Sequence, residues 1–172
     1  MSEPALDDEP PARPVVTLTT RTGGLAPVDQ GWVAARGAEA VHHLGARGEV
    51  RVVLVDDAAM AEAHQRHCGV AGTTDVITFD LAEGAAAGGA PLDVDLLVCL
   101  DEAGRQAARR GIDVRREVLL YVVHGVLHCL GFDDHDEAAS AAMHAKEDEV
   151  LAAIGVGATY GAREHQGADL TR

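Results

Sequence analysis

The segment from Glu117 to His135, which reads EVLLYVVHGVLHCLGFDDH, constrains this chain more than any other stretch. From Val118 to Leu130 it is apolar on nearly every side, so a helix built from it must be buried. Two histidines, His124 and His128, are nevertheless set into it four residues apart. At 3.6 residues per turn this spacing puts both imidazoles on one face, about one turn apart, where they can chelate a single ion. Glu117 and Tyr121 fall on the same stripe. Whatever fold the chain adopts must wrap this helix in apolar surface and still give its one polar stripe something to do.

An HxxxH pair alone decides little. A chain with nine histidines in 172 residues holds roughly half such a pair by chance, and two core histidines with ordinary hydrogen-bond partners would read the same way. The residues that follow shift the balance. Gly131 stands where a helix can end in a left-handed turn. Asp133, Asp134 and His135 come next, and the turn can fold them back toward His124 and His128. Three protein ligands with one open position describe a catalytic zinc rather than a structural one. The third ligand is open between two residues. Asp134 lies in register, six residues after His128, whereas the imidazole of His135 is the softer donor and better suited to zinc, so the chemistry leans slightly to His135. The one not used as ligand, or Asp133 beside it, is a candidate general acid or base.

The rest of the chain alternates. Pro14–Thr20, Glu49–Val55, Asp75–Phe79 and Leu92–Cys99 have the β-branched, partly alternating pattern of strands. Helical spacing runs over Asp29–Leu44, from Asp56-Asp57 to about Cys68, over Asp101–Arg110, over about Val114–Leu130 and from Asp136 to about Ile154. The order β α β α β β α α α predicts an α+β fold, a small mixed sheet of about four strands flanked by helices. Residues 15–155 form the expected domain, with an acidic disordered tail at 1–14 and a flexible, glycine-rich tail at 156–172.

Composition excludes several classes. With 47% hydrophobic and 24% charged residues the chain should form a soluble core, and it has no run of about 18 apolar residues to span a membrane. The N-terminus lacks a basic segment followed by an apolar one, which argues against secretion. Cys68, Cys99 and Cys129 lack CxxC spacing and read as reduced thiols in a cytoplasmic protein. The formal charge of −14 gives little non-specific affinity for nucleic acid. Arg105, Arg109, Arg110, Arg115 and Arg116 are the candidate basic patch, and a solvated helix face is the equally plain reading.

His124-Gly-Val-Leu-His128-Cys-Leu-Gly-Phe-Asp-Asp-His135 resembles the HGxLHLxGYDH signature of the YbeY family, zinc-dependent endoribonucleases of rRNA maturation. Thr74-Asp-Val-Ile-Thr-Phe79 resembles that family's T-D/N-V-L-S-F segment, and Leu92-Asp-Val-Asp95 its G-D-I strand. The three fall in the right order across roughly residues 15–155. The resemblance implies a four-stranded mixed sheet with helices on it, one Zn2+ ion and a cytoplasmic location. It also implies action on single-stranded rRNA at the small ribosomal subunit, in 16S rRNA 3′-end maturation and ribosome quality control, with no DNA or membrane partner. Two departures stand out. The family has one Asp before its third His and this chain has two. The family also carries an Arg before the T-D-V segment, where this chain has Cys68; Arg66, two residues away, is the candidate substitute in catalysis, beside Asp133 and Asp134. Two rivals remain. A catalytically weak, zinc-containing ribosome-associated factor would keep the fold. A zinc peptidase would need a Glu directly after the first histidine, and Gly125 stands there.

Overall fold

The computed structural model describes residues 13–21, 23–82 and 91–160. The expectations for the acidic tail at 1–12 and the glycine-rich tail beyond 160 lie outside the described residues.

Hydrophobic alternation builds the sheet. β1 (Val15–Thr20), β2 (Gly48–Val55), β3 (Val76–Asp80) and β4 (Leu92–Cys99) form four strands in the order β1-β2-β4-β3. β1, β2 and β4 are parallel, and β3 runs antiparallel along β4. In β4, Leu92, Val94, Leu96 and Val98 are buried while Asp93, Asp95 and Leu97 are only half-buried. Parallel strands usually hide both faces, but here the period of two sets a closed face against a more open one. On the open face the register brings Arg51 opposite Asp95, and its guanidinium reaches Asp95 at 2.6 Å and Asp93 at 2.5 Å.

Among the described residues five helices complete the fold: α1 (Pro27–His43), α2 (Asp57–Cys68), α3 (Leu100–Arg110), α4 (Val114–Cys129) and α5 (Glu137–Ala153). Local chemistry explains their ends. Pro27 pre-sets the first turn of α1. Asp56, Asp113 and Asp136 cap α2, α4 and α5, each accepting from a backbone N–H in the first turn. Gly69 and Gly111 close α2 and α3 in the left-handed region. The main core joins the closed face of the sheet to α1, α4 and α5, through residues such as Leu54, Leu96, Val41, Leu119, Leu127 and Leu151. α4 is its centre, with ten buried residues, as an all-apolar helix requires. A smaller cluster of Val55, Met60, Ile77 and Cys99 lies under α2 on the other face.

The chain does not leave the body after α5. Val156 and Tyr160 pack on the main core, and the backbone N–H groups of Thr159 and Tyr160 donate to Asp148 at 2.6 and 3.0 Å. Residues 156–160 therefore belong to the folded unit, because two apolar side chains find a place at its edge.

Four of the five arginines of the cluster are turned to internal use, while Arg109 is exposed. Arg105 grips Asp57 with two 2.7 Å contacts and also Glu102, Arg110 pairs with buried Glu117, Arg115 pairs with Asp29 and lies over Trp32, and Arg116 reaches the Gly157 carbonyl. Guanidinium groups committed in this way offer little to a phosphate backbone.

Candidate metal centre

The centre sits where α4 ends and doubles back. Gly131 has φ of +93°, a value open mainly to glycine, and the Phe132 N–H returns to the Leu127 carbonyl at 3.0 Å. Phe132 packs on the core and anchors the turn. Asp133 then shapes the loop: its Oδ1 accepts the N–H groups of Asp134 and His135 at 2.7 and 3.3 Å, an Asx turn built into the chain.

Both histidine tautomers are determined by their Nδ1 partners. His128 Nδ1 lies 3.1 Å from the Phe132 carbonyl. A carbonyl can only accept, so His128 carries its proton on Nδ1. His124 Nδ1 lies 2.7 Å from Glu147 Oε1, and donates to that carboxylate. The two Nε2 atoms are thus left with lone pairs, and they face each other at 3.0 Å. Two lone pairs at that distance repel unless a cation or a proton stands between them. Asp134 supplies the third donor, with its oxygens 3.8 Å from each Nε2. Metal–ligand bonds of about 2.0–2.1 Å at tetrahedral angles put ligand atoms about 3.3 Å apart; the two Nε2 atoms are 3.0 Å apart, and each lies 3.8 Å from a different oxygen of the Asp134 carboxylate. The donor set therefore fits a small divalent ion with one position left open.

Charge at the site points the same way. Burial opposes protonation of His124, yet the Glu147 carboxylate outweighs it and raises its pKa. Glu147 is fully buried, and its Oε2 has no hydrogen-bond partner, a cost a nearby cation would offset.

The remaining candidates fall elsewhere. His135 is turned outward, with its side chain 86% exposed and its Nε2 3.3 Å from Asp133 Oδ1, though it borders the cleft that leads to the two imidazoles. That open cleft has a volume of about 450 Å³, and His64, Cys68, Thr74 and Thr78 also line it. Arg66 is not brought to it: its guanidinium pairs with Glu62 one turn back on α2. Cys68 is exposed. Gly125 has a structural reason to be glycine, since a Cβ there would meet Leu96 at 2.6 Å and Thr78 at 3.0 Å. A Glu at that position has no room, which removes the general base a peptidase of this layout needs.

Glu147 is the residue that sequence reasoning missed. Its signal was present: Met143, Glu147, Val150 and Leu151 make the buried stripe of α5, and a carboxylate in an apolar stripe needs a partner. What the sequence lacked was the knowledge that α5 packs its stripe beside His124. Glu117 and Tyr121, upstream on α4, are buried in a separate polar cleft. Burial pushes the Glu117 carboxyl up despite Arg110, and burial beside Glu117 raises Tyr121 as well.

A family model described as Endoribonuclease YbeY matches residues 32–155. An Endoribonuclease YbeY of Moorella thermoacetica is 39% identical over 127 residues, covering 69% of this chain and 81% of that protein. One from Pelotomaculum thermopropionicum is 38% identical over 110 residues, covering 62% and 72%. Among solved structures, the solution structure of TM1509 from Thermotoga maritima superposes with a TM-score of 0.54 at 20% identity, covering 91% of this chain and 99% of that one; it bears on the fold alone.

Proposed function

The chain belongs to the YbeY endoribonuclease family, and from that premise we propose that it is a zinc-dependent endoribonuclease cutting single-stranded rRNA. The observation that carries the reading is the pair of Nε2 lone pairs at 3.0 Å with the Asp134 carboxylate beside them. His124, His128 and Asp134 are the proposed ligands, with Asp134 preferred to His135 because it lies against both rings. When bound, the ion lowers the pKa of a water to about 7 and neutralises charge on the phosphoryl group.

The chain's own residues do the rest. Glu147 holds the His124 ring and keeps its proton on Nδ1, which raises the donor strength of Nε2. Thr78 lines the cleft and offers its hydroxyl to the sugar-phosphate backbone. His135 stands at the cleft edge, paired with Asp133, and is the group to protonate the leaving oxygen, with Asp133 orienting it. The proposed substrate is rRNA of the small ribosomal subunit at the 16S 3′ end, in the cytoplasm, in maturation and quality control.

The test is a cleavage assay on single-stranded rRNA fragments with zinc-loaded protein, with chelator, and with His124→Ala. Cutting that needs zinc and His124 is the expected result. Cutting that ignores both, or none at all from zinc-loaded protein, overturns the reading. One observation favours a second reading, a zinc-containing ribosome-associated factor with weak catalysis: Arg66 is held by Glu62 away from the cleft, so among the described residues no guanidinium lines the cleft in place of the family Arg at Cys68. That reading predicts zinc and ribosome binding without cleavage.

A further inference from the structure

A second polar cleft, of about 350 Å³, adjoins the metal cleft, and Thr74 lines both. Its other walls include Asp75, Gln106, Arg110, Glu117 and Tyr121. Tyr121 and Glu117 lie on the histidine stripe of α4. Glu117 is seven residues before His124, which is about 10 Å along the helix axis. None of these side chains has a part in holding the ion.

The hydrogen bonds inside this cleft are incomplete in a particular way. Glu117 is fully buried, and Arg110 takes only its Oε1, leaving Oε2 with no hydrogen-bond partner. On Asp75, Oδ1 accepts from Thr74 Oγ1 at 3.0 Å and from the Val76 N–H at 2.8 Å, which spares Oδ2 for another donor. Glu102, by contrast, is occupied by Arg105 and Gln106. The cleft thus presents the spare Asp75 oxygen as acceptor and the remaining N–H groups of Arg110 as donors; the Tyr121 hydroxyl is engaged with Glu117, whose Oε2 lies beneath the cleft surface. An anion is disfavoured there, because the carboxylates outnumber the guanidinium. A lysine side chain would meet the acceptor but has no use for the donors. A group with adjacent N–H donors and one acceptor suits both.

We propose that this cleft is a base-reading subsite, taking the Watson–Crick edge of a guanine that flanks the cut phosphodiester, with the N1–H and N2–H groups on Asp75 Oδ2 and O6 on Arg110. Single-stranded RNA is read through such edges, and N2–H and O6 are the groups that set guanine apart from other bases. The base enters the acidic cleft and the phosphates stay outside. The inference rests on the RNA-cleaving reading for its substrate, but binding tests it separately.

The experiment uses zinc-loaded full-length protein and 12-nucleotide single-stranded RNAs in which one guanine is replaced in turn by inosine, which lacks the 2-amino group, or by adenine. Fluorescence anisotropy gives affinity, and sequencing of products gives cut positions. The expected result is a guanine at one fixed offset from the cut, bound about tenfold better than inosine there. Asp75→Asn should reduce that ratio to about twofold or less, with zinc content and melting temperature unchanged. Glu117→Gln, which loosens the hold on Arg110, should act likewise if it folds, and Asp75→Asn carries the test if it does not. Binding that depends on guanine and Asp75 without any cleavage sinks the nuclease reading and leaves this one standing. Cleavage with no base preference at any offset overturns this one and leaves the nuclease. A guanine preference that Asp75→Asn does not change overturns it too, as does a lysine peptide that displaces RNA equally well whatever the base. Absence of any RNA binding ends both.

Discussion

Replacing Glu147 by Gln separates metal support from packing. The carboxylate lies 2.7 Å from His124 Nδ1 and is fully buried, with Oε2 unsatisfied. Gln keeps the shape and an acceptor for the Nδ1 proton but removes the charge that strengthens Nε2 as a donor. Loss of such a partner weakens metal binding by about 10–100-fold, which is about 1.4–2.7 kcal/mol. For a domain of this size about 1 kcal/mol moves the melting temperature by roughly 2–4 °C. The increment that saturating zinc adds to the parent's melting temperature should therefore shrink by about 3–10 °C in Glu147→Gln at the same free zinc. Without metal, the variant should melt below the parent at acidic pH, where the Glu147 carboxylate favours the protonated His124 ring, and the gap should narrow as pH rises. Calorimetry with and without zinc, beside a zinc titration, reads both quantities. A variant whose metal-free form melts several degrees lower at every pH, with its zinc increment intact, would refute the reasoning and make Glu147 a packing residue.

The third ligand is tested by pairing Asp134→Ala with His135→Ala: the first should lose zinc affinity by at least about 100-fold in a competition titration, and the second should stay within about threefold. Equal losses would show that both residues reach the ion. Gly125→Ala should lower stability by about 1–3 kcal/mol in urea unfolding, since the new methyl meets Leu96 at 2.6 Å; a neutral result would mean that α4 can shift away from β4. Thiol labelling near pH 8 should modify Cys68 rapidly and the other two only on unfolding, because Cys68 is exposed while burial pushes the thiols of Cys99 and Cys129 up to about 11. At that pH both remain protonated, and the thiolate is the reactive form.

Much of this protein can be read from residue spacing alone. Period-two runs identify β2 and β4, caps such as Asp56 and Asp113 mark where helices begin, and Gly131 marks where α4 must turn. These signals are local, and backbone sterics and hydrogen bonding within a few residues decide them. The two imidazoles on one face are equally local, because α-helix geometry allows nothing else. The element bounds differ from the pattern by a residue or two, as at Pro27, where the proline opens a helix that apolar spacing starts at Asp29.

Other features depend on segments distant in the chain. Glu147 meets His124 only because α5 lies across α4, and the proton on His124 Nδ1 follows from that contact. Arg110, Arg115 and Arg116 read as a basic patch until folding pairs them with Glu117, Asp29 and a carbonyl beyond α5. Asp134 and His135 are neighbours with comparable ligand chemistry, and no local rule ranks them; the Asx turn at Asp133 and the anchoring of Phe132 in the core aim one carboxylate at the rings and turn one imidazole to solvent. Sequence spacing determined which donors share a helix face, while tertiary packing decided which of them meet, because the directions of side chains on separate elements are settled only when those elements bury their apolar surfaces together.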